Sequence, residues 1–204
     1  MSPRRTSTDL ALISGFAALI AVCALLPAIK VGANPVPITL QTFGVLLAGA
    51  VLGARRGSLA VLLYLVVGFA GLPIFSEAKG GLGVFAFPSI GYLLAFAPAA
   101  FVCGFIVERL PRHKIATSVP LIFLAGLGSS ALLIHPLGIA GLVWRLDLTW
   151  PAALAVDVTY WPGDLAKNLA MAFVATAVHR AFPDLLGRRP RDAAHPDRAA
   201  RTPA

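Results

Sequence analysis

Long apolar runs, each set off from the next by a short polar or Gly- and Pro-rich gap, recur through almost the whole of this sequence. They extend from about Leu10 to Ile29, Leu40 to Leu52, Ser58 to Leu72, Pro88 to Val107, Val119 to Val143 and Pro162 to Phe182. A helix needs about 20 mostly apolar residues to cross roughly 30 Å of hydrocarbon. In lipid, helices satisfy their backbone groups internally, whereas open sheet edges cannot. The pattern therefore predicts an all-α integral membrane protein with six transmembrane helices. Residues 1–9 precede the bundle, 10–182 form it, and 183–204 make a basic, Arg- and Pro-rich tail expected to be disordered. The composition excludes the main alternatives. With 58% hydrophobic and only 13% charged residues, the chain has none of the polarity of a disordered segment. Its apolar surface also exceeds what one small soluble core could bury.

The net charge of +8 reads differently in a membrane protein than in a soluble one. Cytoplasmic loops collect Lys and Arg. With the N-terminus inside, only Lys30, Lys79 and Arg145 fall outside and Lys167 lies within a span. The rest of the 17 basic residues fall on the inner side. Both termini are therefore expected in the cytoplasm, and the basic pI needs no nucleic acid. Arg4 and Arg5 before an apolar stretch resemble a signal peptide. The stretch is longer than a signal core and lacks a convincing cleavage site, so no cleavage is expected. Cys23 and Cys103 sit inside apolar runs as small hydrophobes.

Enzymatic motifs are missing. There is no phosphate-binding Gly-rich loop ending in Lys-Ser or Lys-Thr, and four scattered His make no metal cluster. Ser129 and His135 are six residues apart and face different sides of a helix, so they make no nucleophile–base pair. His135, before Pro136, reads as an interfacial residue near a kink. No metal or cofactor is expected.

Ionisable residues within spans are costly and functional by default. Asp164 and Lys167, three apart at the start of the sixth span, share one helix face. Asp164 suits a helix N-terminus, but the dipole does not favour Lys167 there. Lys167 either pairs with Asp164 and snorkels, or meets a fixed anion such as a substrate carboxylate. Gly80-Gly81-Leu82-Gly83, followed by Ser89 and Tyr92, reads either as a backbone surface close to a ligand or as an outer loop with an aromatic anchor. Thr39, Gln41 and Thr42 open the second span, Gln41 either facing a ligand or bonding another helix. All three segments fall on the outer side and suggest an outward-facing small-molecule pocket. Ala17 and Ala21 in the first span, like Gly49 and Gly53 in the second, form small-xxx-small pairs that either pack the bundle or dock a partner.

Three stretches together carry a family resemblance. They are Pro35 to Gly49 (PVPITLQTFGVLLAG), Gly80-Gly81-Leu82-Gly83 with Gly91-Tyr92-Leu93-Leu94, and Pro162-Gly163-Asp164-Leu165-Ala166-Lys167. Gly53-Ala54-Arg55-Arg56-Gly57 adds to them. Over about Leu10 to Phe182 the chain resembles the BioY family, the biotin-binding S components of energy-coupling-factor vitamin transporters. That resemblance implies the S-component fold, with a pocket near the outer surface lidded by about Val31 to Thr39. It implies that Asp164 accepts a hydrogen bond from biotin's polar ring and that Lys167 pairs with its carboxylate. Gln41, Tyr92, Ser89 and Gly81 are the further polar candidates, and Phe43, Phe85, Leu93 and Trp161 the apolar walls. It also implies partners: a transmembrane coupling subunit docking at Ala17 and Ala21, and ATPases that supply the energy. A solitary transporter, or another carboxylate-bearing vitamin, stays open. Where the family usually has Gly-Pro-Thr-Gly-Gly-Tyr, this chain reads Phe87-Pro88-Ser89-Ile90-Gly91-Tyr92, so one pocket wall is expected to be tighter.

Overall fold

The computed structural model of the chain describes residues 3–29, 35–111, 115 and 118–186. Its helices are α1 (Pro3–Leu25), α2 (Gln41–Phe69), α3 (Ile90–Arg109), α4 (Val119–Leu146), α5 (Trp150–Val158) and α6 (Trp161–Ala181). Short 3-10 turns, Ser76–Ala78 and Leu82–Ala86, lie between α2 and α3. Strands are absent among the described residues, where only the isolated bridges Ile29–Ile38 and Phe75–Lys79 occur.

The 29 residues of α2 do not run straight. A straight helix of that length would span about 43 Å, yet Gln41 Nε2 donates to the Tyr64 hydroxyl at 2.8 Å. The reversal falls at Gly53, at φ 84 and ψ 179, where glycine alone is unstrained. Arms 41–52 and 54–69 fold back on each other so closely that a β-carbon on Gly57 would stand 2.6 Å from the Ala48 carbonyl oxygen. Glu108, at the end of α3, accepts from the Ala54 N–H at 3.0 Å and places negative charge at the start of the second arm. The five-residue gap expected at 53–57 is thus one residue. Arg55 and Arg56 already belong to helix.

Arg56 gathers the end of the bundle that holds this reversal. It pairs with Asp9 of α1 at 3.0 Å, and bonds the carbonyls of Leu52 and Leu185. Residues 187–204, most of the expected disordered tail, lie outside the described residues, as do Arg112 and Lys114.

Helix α4 runs unbroken through a wide turn at Ser130–Ile134, closed by a bond from the His135 N–H to the Ser130 carbonyl five residues back. The backbones of α3 and α4 touch where they cross, since a β-carbon on Gly141 would lie 2.7 Å from the Gly91 Cα. Helix α5 lies between the spans expected at Val119 to Val143 and Pro162 to Phe182, where the apolar pattern predicted no helix.

Four of these helices, α1 to α4, are long and apolar enough to cross a membrane. Helix α6 has 21 residues, but Asp164, Lys167, Asn168, His179 and Arg180 lower its hydropathy. Leu62, Val66, Phe101, Leu124, Leu132 and Phe173 point outward, while Ile20, Leu46, Tyr64, Ile90, Ile122 and Met171 fill the interior. An apolar exterior around a packed core suits a lipid solvent.

Ala17 is buried at 8% exposure, and Ala21 packs half-buried against the same core. Both sit on the α1 face turned toward α2, with Ile20 between them touching Gly44. The free face of α1 instead carries Ala11, Gly15, Ala18 and Val22. The helical period accounts for this placement: residues 17, 20, 21 and 24 share the stripe that α1 buries.

Candidate functional site

At the end of the bundle opposite Gly53, a cavity encloses about 820 Å³ between atoms, its solvent-filled mouth included. Its walls come from residues 35–42, the 75–89 connection, the first turns of α3 and the start of α6. Phe75, Val84, Phe87, Leu93, Phe96 and Tyr160 give it a largely apolar lining. Burial pushes the Tyr160 phenol up to about 12, so it faces the cavity uncharged.

Two charges break this apolar wall. Lys167 Nζ lies 2.5 Å from Asp164 Oδ1 one helical turn earlier, and the two side chains are 12% and 8% exposed. Pro162 opens α6 in its first turn, so the pair projects from a rigid helix start. Thr42 donates to Asp164 Oδ1 at 3.2 Å, and the Lys167 ammonium donates to the Thr39 carbonyl at 3.1 Å. Asn168 Nδ2 bonds the Asp164 carbonyl. The ammonium is therefore desolvated before any ligand arrives, with a carbonyl acceptor and an anion held around it.

Asp164, Lys167, Gln41, Ser89 and Tyr92 all line the cavity. Gln41 is fixed between Thr39 and Tyr64. Phe43, Phe85, Trp161 and Gly81 are not among its lining residues. Phe43 packs into the core, and Gly81 ties its N–H to the Gly68 carbonyl at 2.8 Å, fastening the 75–89 connection to α2. Of the two large replacements near Tyr92, Phe87 lines the cavity and Ile90 is fully buried in the core. Val31 to Asn34 of the expected lid lie outside the described residues, whereas Pro35 to Thr39 do line the cavity.

Behind the pair lies a buried network that the sequence reading missed. Asp157 of α5 is fully buried. It accepts the Tyr92 hydroxyl at 2.7 Å and the Trp161 indole N–H at 3.1 Å. His135 Nδ1 sits 2.9 Å from its Oδ2. The His135 ring stacks on Trp161 with centroids 4.3 Å apart, and its Nε2 faces Asp164 Oδ2 at 3.6 Å. His135 is thus 3% exposed and inside the bundle rather than interfacial, because its widened turn aims the ring inward. The one sequence signal for this network was His135, an ionisable residue inside an apolar span, where a charge is expensive. Ser129, by contrast, bonds back to the Ala125 carbonyl as an ordinary helix serine.

Comparison with known proteins adds the following. A family model described as the BioY family matches residues 1–184. A relative from Rhizobium etli, named biotin transporter BioY, is 39% identical over 185 residues, covering 90% of this chain and 99% of its own. One of the same name from Rhodobacter capsulatus is 42% identical over 191 residues, covering 87% and 96%. A solved structure, the S-component for biotin from an ECF-type ABC transporter, superposes with a TM-score of 0.81 at 25% identity, covering 88% of this chain and 95% of that one.

Proposed function

The chain belongs to the BioY family, and on that premise we propose that Asp164 and Lys167 hold biotin in the cavity from which it is carried across the membrane. The protein is a biotin transporter of the prokaryotic plasma membrane and not an enzyme. The observation that carries the site assignment is the buried Asp164–Lys167 pair in an otherwise apolar cavity. Asp164 accepts an N–H of the ureido ring, and Lys167 turns to the valerate carboxylate, a charge-assisted bond. Leu93, Phe96, Val84 and Phe87 enclose the sulfur ring and the alkyl chain. Gln41, Ser89 and Tyr92 complete the polar contacts. Gly81 acts through the connection it fastens, Phe43 through the core, and Trp161 through His135.

The two arms of α2, with α1, α3, α4 and α6, make six crossings. Gly53, Arg55, Arg56 and Arg109 share one end and the cavity lies at the other. The positive-inside rule puts the basic end in the cytoplasm and the cavity outside. As an S component the chain binds substrate and pairs with an ATP-driven coupling module, which supplies the energy its own sequence lacks a motif to harvest. The free α1 face around Gly15 and Ala18, rather than Ala17 and Ala21, is open to that module. Calorimetric titration of biotin into the detergent-purified protein tests the assignment. Tight one-site binding is expected, and no binding by folded protein would discard it. Uptake persisting in cells without any coupling subunit would instead favour a transporter that works alone.

A further inference from the structure

The network behind the ion pair has one unbalanced position. Both oxygens of Asp157 already accept, Oδ1 from the Tyr92 hydroxyl and Oδ2 from the Trp161 indole. His135 Nδ1, 3.0 and 2.9 Å from the two oxygens, must therefore point its hydrogen at them. In a neutral imidazole the other nitrogen, Nε2, is then a bare acceptor. It faces Asp164 Oδ2, another acceptor, at 3.6 Å, beyond hydrogen-bond length. This is tolerable only while Lys167, 2.5 Å from Asp164 Oδ1, neutralises the carboxylate. Among the described residues, the ionisable groups facing this imidazole are Asp157 from α5, Asp164 and Lys167 from α6, and Tyr92 of α3 acting through Asp157. None but Lys167 brings a positive charge.

We propose that His135 is a proton-linked positioning residue, taking one proton from solvent at Nε2 when the substrate carboxylate draws Lys167 away from Asp164. The imidazolium then donates from Nδ1 to Asp157 and from Nε2 to Asp164, and it replaces the cation that Asp164 has lost. Asp164 stays ionised and aimed at the ureido ring while Lys167 serves the other end of the ligand. Without that proton, two acceptors and an unpaired buried carboxylate would confront each other, which is expensive at low dielectric. Histidine is the side chain suited to such an exchange near neutral pH. The inference rests on the biotin reading above.

Calorimetry of the full-length protein in detergent tests it, with biotin titrated at one mildly alkaline pH in phosphate and in Tris, which differ in ionisation enthalpy. Binding heats that differ between the buffers by the uptake of up to about one proton are expected. Affinity should fall by up to about tenfold per pH unit as the pH is raised further. Biotinamide, which has no carboxylate to draw Lys167, should bind to the unaltered protein without proton uptake. In His135→Asn, biotin should bind more weakly, by about tenfold or more, with no buffer dependence. Biotin binding with equal heats in both buffers, or the same proton uptake for biotinamide, would overturn the linkage and leave the biotin assignment standing. Absence of biotin binding by folded protein would remove both.

Discussion

Replacing Lys167 with Ala probes the chemistry of the cavity most directly, and its effect can be worked out from the ion pair. The Lys167 side chain is 12% exposed and that of its partner Asp164 8%, and the other bond of the ammonium is to the Thr39 carbonyl. An incoming carboxylate therefore meets a cation already stripped of water, and truncating one partner of such a desolvated pair costs about 2–5 kcal/mol of affinity. That corresponds to a loss of roughly 30-fold to 4,000-fold in biotin binding. The ligand-free protein should also lose stability, by up to about 3–5 kcal/mol at alkaline pH, where Asp164 keeps its buried charge with neither Lys167 nor a protonated His135 beside it. Adding Asp164→Asn should recover much of that stability and none of the affinity. Titrations of biotin and of biotinamide into the Lys167→Ala protein, beside unfolding curves in the same detergent, separate the effects. If Lys167 meets the carboxylate, the amide should suffer far less than the acid. Equal losses for both ligands would refute the pairing and assign Lys167 to another part of the molecule.

Other substitutions bear on the frame around the site. Gly53→Ala forces a side chain into a positive-φ conformation, worth about 1–3 kcal/mol, and against Glu108. Its unfolding midpoint should drop, and a stability equal to the parent would contradict the single-residue reversal. Tyr92→Phe removes a 2.7 Å bond to a buried carboxylate and should cost about 1.5–3 kcal/mol of stability, read by the same unfolding assay. Gly15→Trp, at a position with open space around it, should keep fold and biotin binding but abolish ATP-driven uptake. Ala17→Trp, in the packed face of α1, should impair folding first. The opposite ranking would return the docking face to Ala17 and Ala21.

Much of this architecture was legible because lipid imposes a strong local rule: a long enough apolar run predicts a helix whatever lies beside it. The expected spans at about 88–107, 119–143 and 162–182 fall on α3, α4 and α6 within a few residues. Asp164 and Lys167 stood out for the same reason, as charges where charge is costly. What escaped was long-range. Asp157 lay in a stretch interrupted by Asp147, Trp150 and Pro151, and its partners Tyr92 and His135 are 65 and 22 residues away. Nothing in the local pattern says that such an Asp is buried. The inward face of α1 was equally invisible, because that helix is apolar nearly all round and its small residues occur on more than one side. The reversal at Gly53 was misjudged as a longer gap because Arg55 and Arg56 look like loop residues, whereas Arg56 folds back on Asp9 and Leu185.

The wide turn at Ser130–Ile134 holds one residue more than a regular turn would, and its closing bond ends on His135 itself. Removing that extra residue would let the ordinary winding close across the turn with the two halves of α4 keeping roughly their rotation, whereas removing a residue anywhere else in the helix would rotate them by about 100° against each other. In the second case either His135 would leave Asp157 and Asp164, or the first half of α4 would turn Ile122 and Gly126 away from α6. Within a family that accumulates insertions and deletions, this turn is therefore the place in α4 where one residue can be lost without turning one half of the helix against the other. A one-residue gap there in an aligned relative would mark a regularised helix, and a gap elsewhere in α4 a protein that had lost the histidine's place at the site.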